Sequence, residues 1–229
     1  MSSDLPFRYD PAHCALVVVD VQNDFCDPQG SAATGGADLA MVSAMVPRLE
    51  ELIAAARAAG VPVVFVRTEH DPGNDSFAWV NRRLEEPRAE VPQRTTRTGS
   101  WGAEFFRLAP LPGEPVVTKH RYSAFAGTSL DLTLRTLGVS SVLVCGVATE
   151  VCVESTIRDG LFAEYLVTAV DDCCATYDAA AHAASLRAVA THFGVVTDSG
   201  RIAARWAQLP AGRDSVTRTS AEDRIDGRV

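Results

Sequence analysis

Six short apolar runs, rich in β-branched residues and separated by helical stretches, constrain this chain more than any other feature. The first is Cys14–Val19 (CALVVV). The others are Pro62–Val66, Val116–Thr118, Val142–Cys145, Tyr165–Val170 and Val195–Thr197. A continuous run of this kind suits a strand covered on both faces, because apolar/polar alternation is needed only where one face meets water. Between the runs lie amphipathic segments. Ala40–Ala59 puts Met41, Met45, Leu49, Leu52, Ile53 and Ala56 on an apolar stripe and stops at Gly60. Ser129–Leu137 follows a capping Thr128 and closes at Gly138. Asp178–Phe193 and Ile202–Leu209 read as further helices, and Trp101–Leu108 as a short one. Strand and helix in alternation specify an α/β fold: a three-layer α-β-α sandwich around a mostly parallel six-stranded sheet.

With 229 residues, 47% of them hydrophobic and 22% charged, the chain has the composition and length of one globular domain with a sizeable core. Residues 1–12 read as an irregular N-terminal arm, 13–208 as the domain and 209–229 as a polar tail. A net charge of −8 argues against nucleic acid or an anionic membrane surface as the partner. No apolar run approaches the roughly 20 residues that span a bilayer. The opening MSSDLPFRYDPAH lacks the basic segment and apolar core of a signal peptide, so a cytoplasmic protein is expected. The six cysteines, at 14, 26, 145, 152, 173 and 174, form no CxxC pair, and free thiols are expected. The five histidines form no HxxxH pattern, so neither metal nor cofactor is expected.

In such a sheet, ligands bind beyond the carboxyl ends of the strands. Asp20 and Lys119 stand just past the ends of the first and third strands. The fourth strand runs through Gly146 and a bend, GVAT, into a helix whose first turn holds Cys152. Unpaired N–H groups and the helix dipole favour a thiolate there. Val153, Ile157 and Leu161 share the apolar face of that helix, and Cys152 lies off it. Acyl transfer by a thiol needs a nucleophile, a proton carrier and donors for the oxyanion. Cys152 supplies the sulfur and Asp20 moves the proton. Lys119 steadies the thiolate, and the N–H groups of Ala148 and Cys152 are candidates for the oxyanion hole. The residues alone leave a plainer reading open: a packed core thiol, a turn-forming aspartate and a solvated lysine.

Other pocket candidates flank these three. Gln22 and Phe25 follow Asp20, and Tyr122 and Phe125 follow Lys119. His70 and Trp79 lie on the long loop Arg67–Trp79, of a kind that often forms binding loops or lids. Arg82, Arg83, Arg94 and Arg97 suit a substrate carboxylate, a neighbouring subunit or a solvated surface.

Longer stretches carry a resemblance. ALVVVDVQNDF at 15–25, VVTKHRYSAFAGTSL at 116–130 and VLVCGVATEVCVESTIRDG at 142–160 resemble the isochorismatase-like cysteine hydrolase superfamily, as do GSWGAEF at 99–105 and VDDCCATYD at 170–178. That superfamily includes nicotinamidases, N-carbamoylsarcosine amidases, ureidoacrylate amidohydrolases and biuret hydrolases. The resemblance implies an Asp20–Lys119–Cys152 triad and a cis peptide at Val147–Ala148 that aims the oxyanion-hole amides. It also implies a dimer or tetramer. Isochorismatases proper lack the cysteine, which argues against vinyl-ether hydrolysis here. Nicotinamidases carry an Asp-x-His metal motif where this chain reads Thr68-Glu69-His70, which departs from that pattern. The expected function is a cysteine amidohydrolase cleaving a C–N bond of a small ureido, carbamoyl or amide substrate through a thioester. The alternatives are a nicotinamidase-like amidase with an altered metal site, and a catalytically silent binding or scaffold protein.

Overall fold

The computed structural model describes residues 7–208. The first six residues of the expected arm and the expected tail at 209–229 lie outside the described residues. Six strands form one sheet: β1 (Cys14–Val19), β2 (Val63–Thr68), β3 (Val116–Lys119), β4 (Ser141–Val147), β5 (Leu166–Ala175) and β6 (Val195–Thr197). Their order is β3-β2-β1-β4-β5-β6, and every neighbouring pair is parallel. All residues of β1 and β4 are buried, as their unbroken apolar sequences require.

Order runs leftward from β1 to β3 and rightward from β4 to β6. Right-handed crossovers in opposite directions place their helices on opposite faces. The first crossover uses α3 (Ala40–Ala58), following the short α1 (Asn23–Cys26) and α2 (Ser31–Thr34). The second crossover contains α4 (Phe77–Asn81), capped by the Ser76 hydroxyl at Trp79 N–H. The third carries α5 (Leu130–Thr136), the fourth α6 (Glu154–Phe162), and the last α7 (Ala179–Ala188). Helix α8 (Ser199–Trp206) returns to pack on α3. The result is the expected three-layer sandwich.

Several local readings are corrected. Trp101–Leu108 forms only a single 3₁₀ turn, Trp101–Ala103. Asn23 holds the Trp101 carbonyl, and Phe105 pairs backbone to backbone with Gln22, so the segment is drawn out along the exit of β1. Strand β5 continues to Ala175 rather than stopping at Val170, with a register shift opposite Val144–Gly146. The last turn of the α7 segment, Val189–Phe193, is wound as a π-helix. Residues 7–9 of the arm are docked: Tyr9 is buried, and its carbonyl receives the Trp206 indole N–H at 2.8 Å.

Candidate active site

The centre of the sheet is a topological switch point, and the side chains of interest line up across its carboxyl edge. Register pairs Lys119 with Thr68 across β3 and β2, and Val19 with Val66 and Gly146 across β2, β1 and β4. Lys119, Thr68, Asp20 and the turn after Val147 therefore come from four successive strands. Asp20 leaves β1 with φ at 55°, which turns its side chain off the strand path. Gly146 has φ at 116°, and a Cβ there would lie 2.0 Å from the Val19 carbonyl oxygen. Only glycine permits β4 to lie that close to β1 just beneath the site.

Val147–Ala148 is a cis peptide, and the chain then winds through a π-helical turn, Thr149–Val153, into α6. The Val151 and Val153 N–H groups both donate to the Ala148 carbonyl, at 3.1 and 3.2 Å. Behind the turn, the Thr149 hydroxyl meets His182 Nδ1 at 2.9 Å, and His182 Nε2 lies 3.1 Å from Asp171. This buttress from α7 and β5 had no signal in the local sequence.

The three groups expected to work together are brought together. Lys119 Nζ lies 2.7 Å from Asp20 Oδ2 and 3.4 Å from Cys152 Sγ. It also donates to the Thr68 hydroxyl at 2.7 Å and to the Arg121 carbonyl at 3.0 Å. The Thr68 hydroxyl in turn donates to Asp20 Oδ1 at 3.0 Å. Asp20 and Lys119 are fully buried and Cys152 nearly so. Asp20 Oδ2 carries the lysine's charge beside it but has no donor aligned on it.

Burial sets the electrostatics. It works against the Lys119 charge, but Asp20 and Cys152 outweigh it and hold the ammonium above its ordinary value. Burial, reinforced by the Asp20 carboxylate, pushes the Cys152 thiol up, with Lys119 pulling the other way. The thiolate expected from the helix start alone is thus corrected: desolvation and the neighbouring carboxylate outweigh the turn. The resting arrangement is an Asp20–Lys119 ion pair beside a protonated thiol.

Of the six further pocket candidates, four line the cavity and two do not. A cavity of about 240 Å³ opens over Cys152, and Phe25, His70, Trp79 and Tyr122 stand on its wall. Gln22 is fully buried and turned away. Its amide donates to the Thr68 and Ala103 carbonyls and accepts from the Thr68 N–H at 2.7 Å, so it braces the backbone that carries Thr68. Phe125 packs on Tyr165, with ring centroids 5.8 Å apart, and against Gly160. Thr68, Arg121, Val151 and Tyr177 also line the cavity.

His70 Nδ1 faces Asn74 at 3.2 Å and Asp75 at 3.9 Å, and burial lowers its pKa. The Thr68 hydroxyl is committed to Asp20 and Lys119. Among the described residues, no group of three or more His, Cys, Asp or Glu side chains is placed to hold a metal ion. The donor set beside His70 does not fit the metal site of a nicotinamidase. All six cysteines are free and buried. Among the described residues, no helix is long and apolar enough to cross a membrane.

Comparison with known proteins agrees with this geometry. The isochorismatase domain family matches residues 14–201. Ureidoacrylate amidohydrolase RutB of Methylobacterium radiotolerans is 37% identical over 225 residues, covering 91% of this chain and 86% of that protein. A cysteine hydrolase from Pseudomonas syringae pv. phaseolicola superposes with a TM-score of 0.74 at 31% identity, over 90% of this chain and 99% of that one. N-carbamoylsarcosine amidase from Thermoplasma acidophilum superposes with a TM-score of 0.65 at 29% identity, over 82% and 96%. The chain belongs to the isochorismatase family of hydrolases.

Proposed function

We propose that this protein is a cysteine amidohydrolase that cleaves a C–N bond of a small ureido, carbamoyl or amide substrate and releases ammonia or an amine. The observation that carries the reading is the buried cluster in which Lys119 Nζ bridges Asp20 at 2.7 Å and Cys152 at 3.4 Å under a small cavity. The names of the ureidoacrylate amidohydrolase and N-carbamoylsarcosine amidase relatives support the substrate class.

Asp20 takes the thiol proton onto Oδ2, the oxygen that no donor occupies. The sulfur attacks the substrate carbonyl carbon, and the N–H groups of Ala148 and Cys152 receive the oxyanion. The tetrahedral adduct collapses, the C–N bond breaks, and the leaving nitrogen takes the proton from Asp20. A thioester on Cys152 remains. Water gives a proton to Asp20 and its oxygen attacks the thioester. The C–S bond breaks, and Asp20 returns the proton to sulfur. Lys119 keeps Asp20 ionised and offsets the charge that appears on sulfur.

The test is ammonia release from a panel of ureas, carbamoyl amino acids and simple amides. Turnover by the wild type and none by Cys152→Ala, with the fold intact by circular dichroism, is the expected result. Retained turnover in that variant refutes the reading. The proposal extends to a cytoplasmic homodimer or tetramer, supported by the six free thiols and by the exposed Leu132 and Phe162 on α5 and α6. Sedimentation of the pure protein checks the assembly.

A further inference from the structure

Charge at the cavity is distributed against the trend of the chain. The protein carries a net −8, yet Asp20 is the one acidic side chain lining the cavity, and Lys119 neutralises it. The remaining charges on the wall are Arg82, Arg83 and Arg121. Seven other arginines, at 57, 67, 97, 107, 135, 158 and 201, have a carboxylate within 4 Å. Among the described residues, none of the three at the cavity does.

The three are not equivalent. Arg121 is spent on the Asn74 and His120 carbonyls and the Ser76 hydroxyl. Arg82 lies flat on Trp79, 3.9 Å from the ring centroid, and gives its Nε to the Tyr122 hydroxyl at 2.9 Å. Arg83 approaches the same phenol. Burial works against ionisation of Tyr122, but the two arginines outweigh it and hold the phenol below its ordinary value, as a positive field would. Trp79 sits between Arg82 and Arg121, with Tyr122 edge-on at 4.9 Å, so the guanidinium groups are carried on a packed aromatic wall. A guanidinium fork with no acidic partner, at the rim of a cavity, matches a planar anion with two oxygens.

We propose that the site selects substrates bearing a carboxylate remote from the scissile carbonyl, and that Arg83, seconded by Arg82, receives it. This rests on the amidohydrolase reading for the chemistry, but the recognition is testable without turnover. The probes are 3-ureidopropionate and its uncharged counterpart 3-ureidopropan-1-ol. Binding to the Cys152→Ala protein is followed by calorimetry, and ammonia release by the wild type is measured alongside. The acid should bind about 10- to 100-fold more tightly than the alcohol. The preference should shrink as salt rises from 20 to 500 mM. Arg83→Gln should collapse the acid-to-alcohol ratio to within about threefold, and Arg83→Lys should restore part of it.

Equal binding of acid and alcohol overturns the proposal, as does a ratio that survives in the Arg82→Gln/Arg83→Gln double variant. A change in sedimentation of Arg83→Gln with the ratio intact also overturns it and assigns the arginines to a subunit contact. Tight binding of the acid with no ammonia release by the wild type leaves the carboxylate clamp standing and sinks the amidohydrolase reading instead.

Discussion

Thr68 and Asp20 share a hydrogen bond of 3.0 Å in which the threonine hydroxyl is the donor, and the same hydroxyl oxygen accepts from Lys119 at 2.7 Å. One small side chain thus orders both partners of the buried ion pair. Thr68→Val keeps the shape and removes this link. Each charged partner then loses one bond in a dry site, at roughly 1–3 kcal/mol. The expected outcome is a kcat lowered about 10- to 100-fold, with Thr68→Ser close to wild type. Steady-state kinetics on the best substrate of the amide panel decides it. A Thr68→Val kcat within twofold of wild type removes Thr68 from the positioning role.

The Asp20–Lys119 pair predicts an asymmetry between stability and activity. Lys119→Met leaves Asp20 as an unpaired buried charge and should cost about 3–5 kcal/mol of folding free energy. The double variant Asp20→Asn/Lys119→Met has no uncompensated charge and should regain most of that loss while remaining inactive. Urea unfolding of the wild type, the two single variants and the double variant completes the cycle. A double variant as unstable as Lys119→Met contradicts the account.

Gly146→Ala should fail to fold or lose more than about 4 kcal/mol, because its Cβ would meet the Val19 carbonyl at 2.0 Å and its φ of 116° disfavours any L side chain. Gly60→Ala, at φ 73° and with open space around the new methyl, meets only the backbone penalty and should cost roughly 1–2 kcal/mol. Soluble yield and urea midpoints compare the two.

The buried thiols predict an alkaline limit to stability. Burial pushes Cys14, Cys26 and Cys173 from 9.0 up to about 12. Unfolded, these thiols ionise near 9; folded, they keep their protons to about 12. Between those values the unfolded chain binds fewer protons, so stability falls as pH rises. The contribution is intact below pH 9, and each thiol then erodes it by up to about 1.4 kcal/mol per pH unit. Urea midpoints at pH 8 and 10.5 should show the drop, and Cys14→Ala should lessen it. A midpoint independent of pH across that range contradicts the assignment.

Particular residues show how far the sequence could be read. Asp20, Lys119 and Cys152 were visible because each directly follows an apolar run, and a parallel sheet brings the ends of its strands to one edge. Gln22 shows the limit. It is two residues from Asp20, but the left-handed turn at Asp20 reverses the facing of the next residues, and the amide ends up bracing β2. Phe125 is six residues from Lys119 and belongs to the packing around Tyr165. Thr68 reads as the loss of a metal-binding aspartate, and only the three-dimensional juxtaposition shows what its hydroxyl does instead. Arg121, Tyr177 and the His182 buttress depend on contacts between distant segments, for which local pattern has no counterpart. The long stretch from 67 to 100 is polar and aperiodic, so α4 depends on a single capping serine that composition does not single out.

The floor of the site and its rim belong to different parts of the energy landscape. Val19 and Gly146 touch at the centre of the sheet, and their amides should exchange with solvent only when the whole domain opens. The rim from Trp79 to Thr96 hangs on a few peripheral ties: Asn81 to Arg88, Arg97 to Asp75, and Asp24 to Thr96. Such a segment loosens locally at low denaturant or modest heat. Discrimination among substrates is therefore the first property this protein surrenders under stress, and bond cleavage the last.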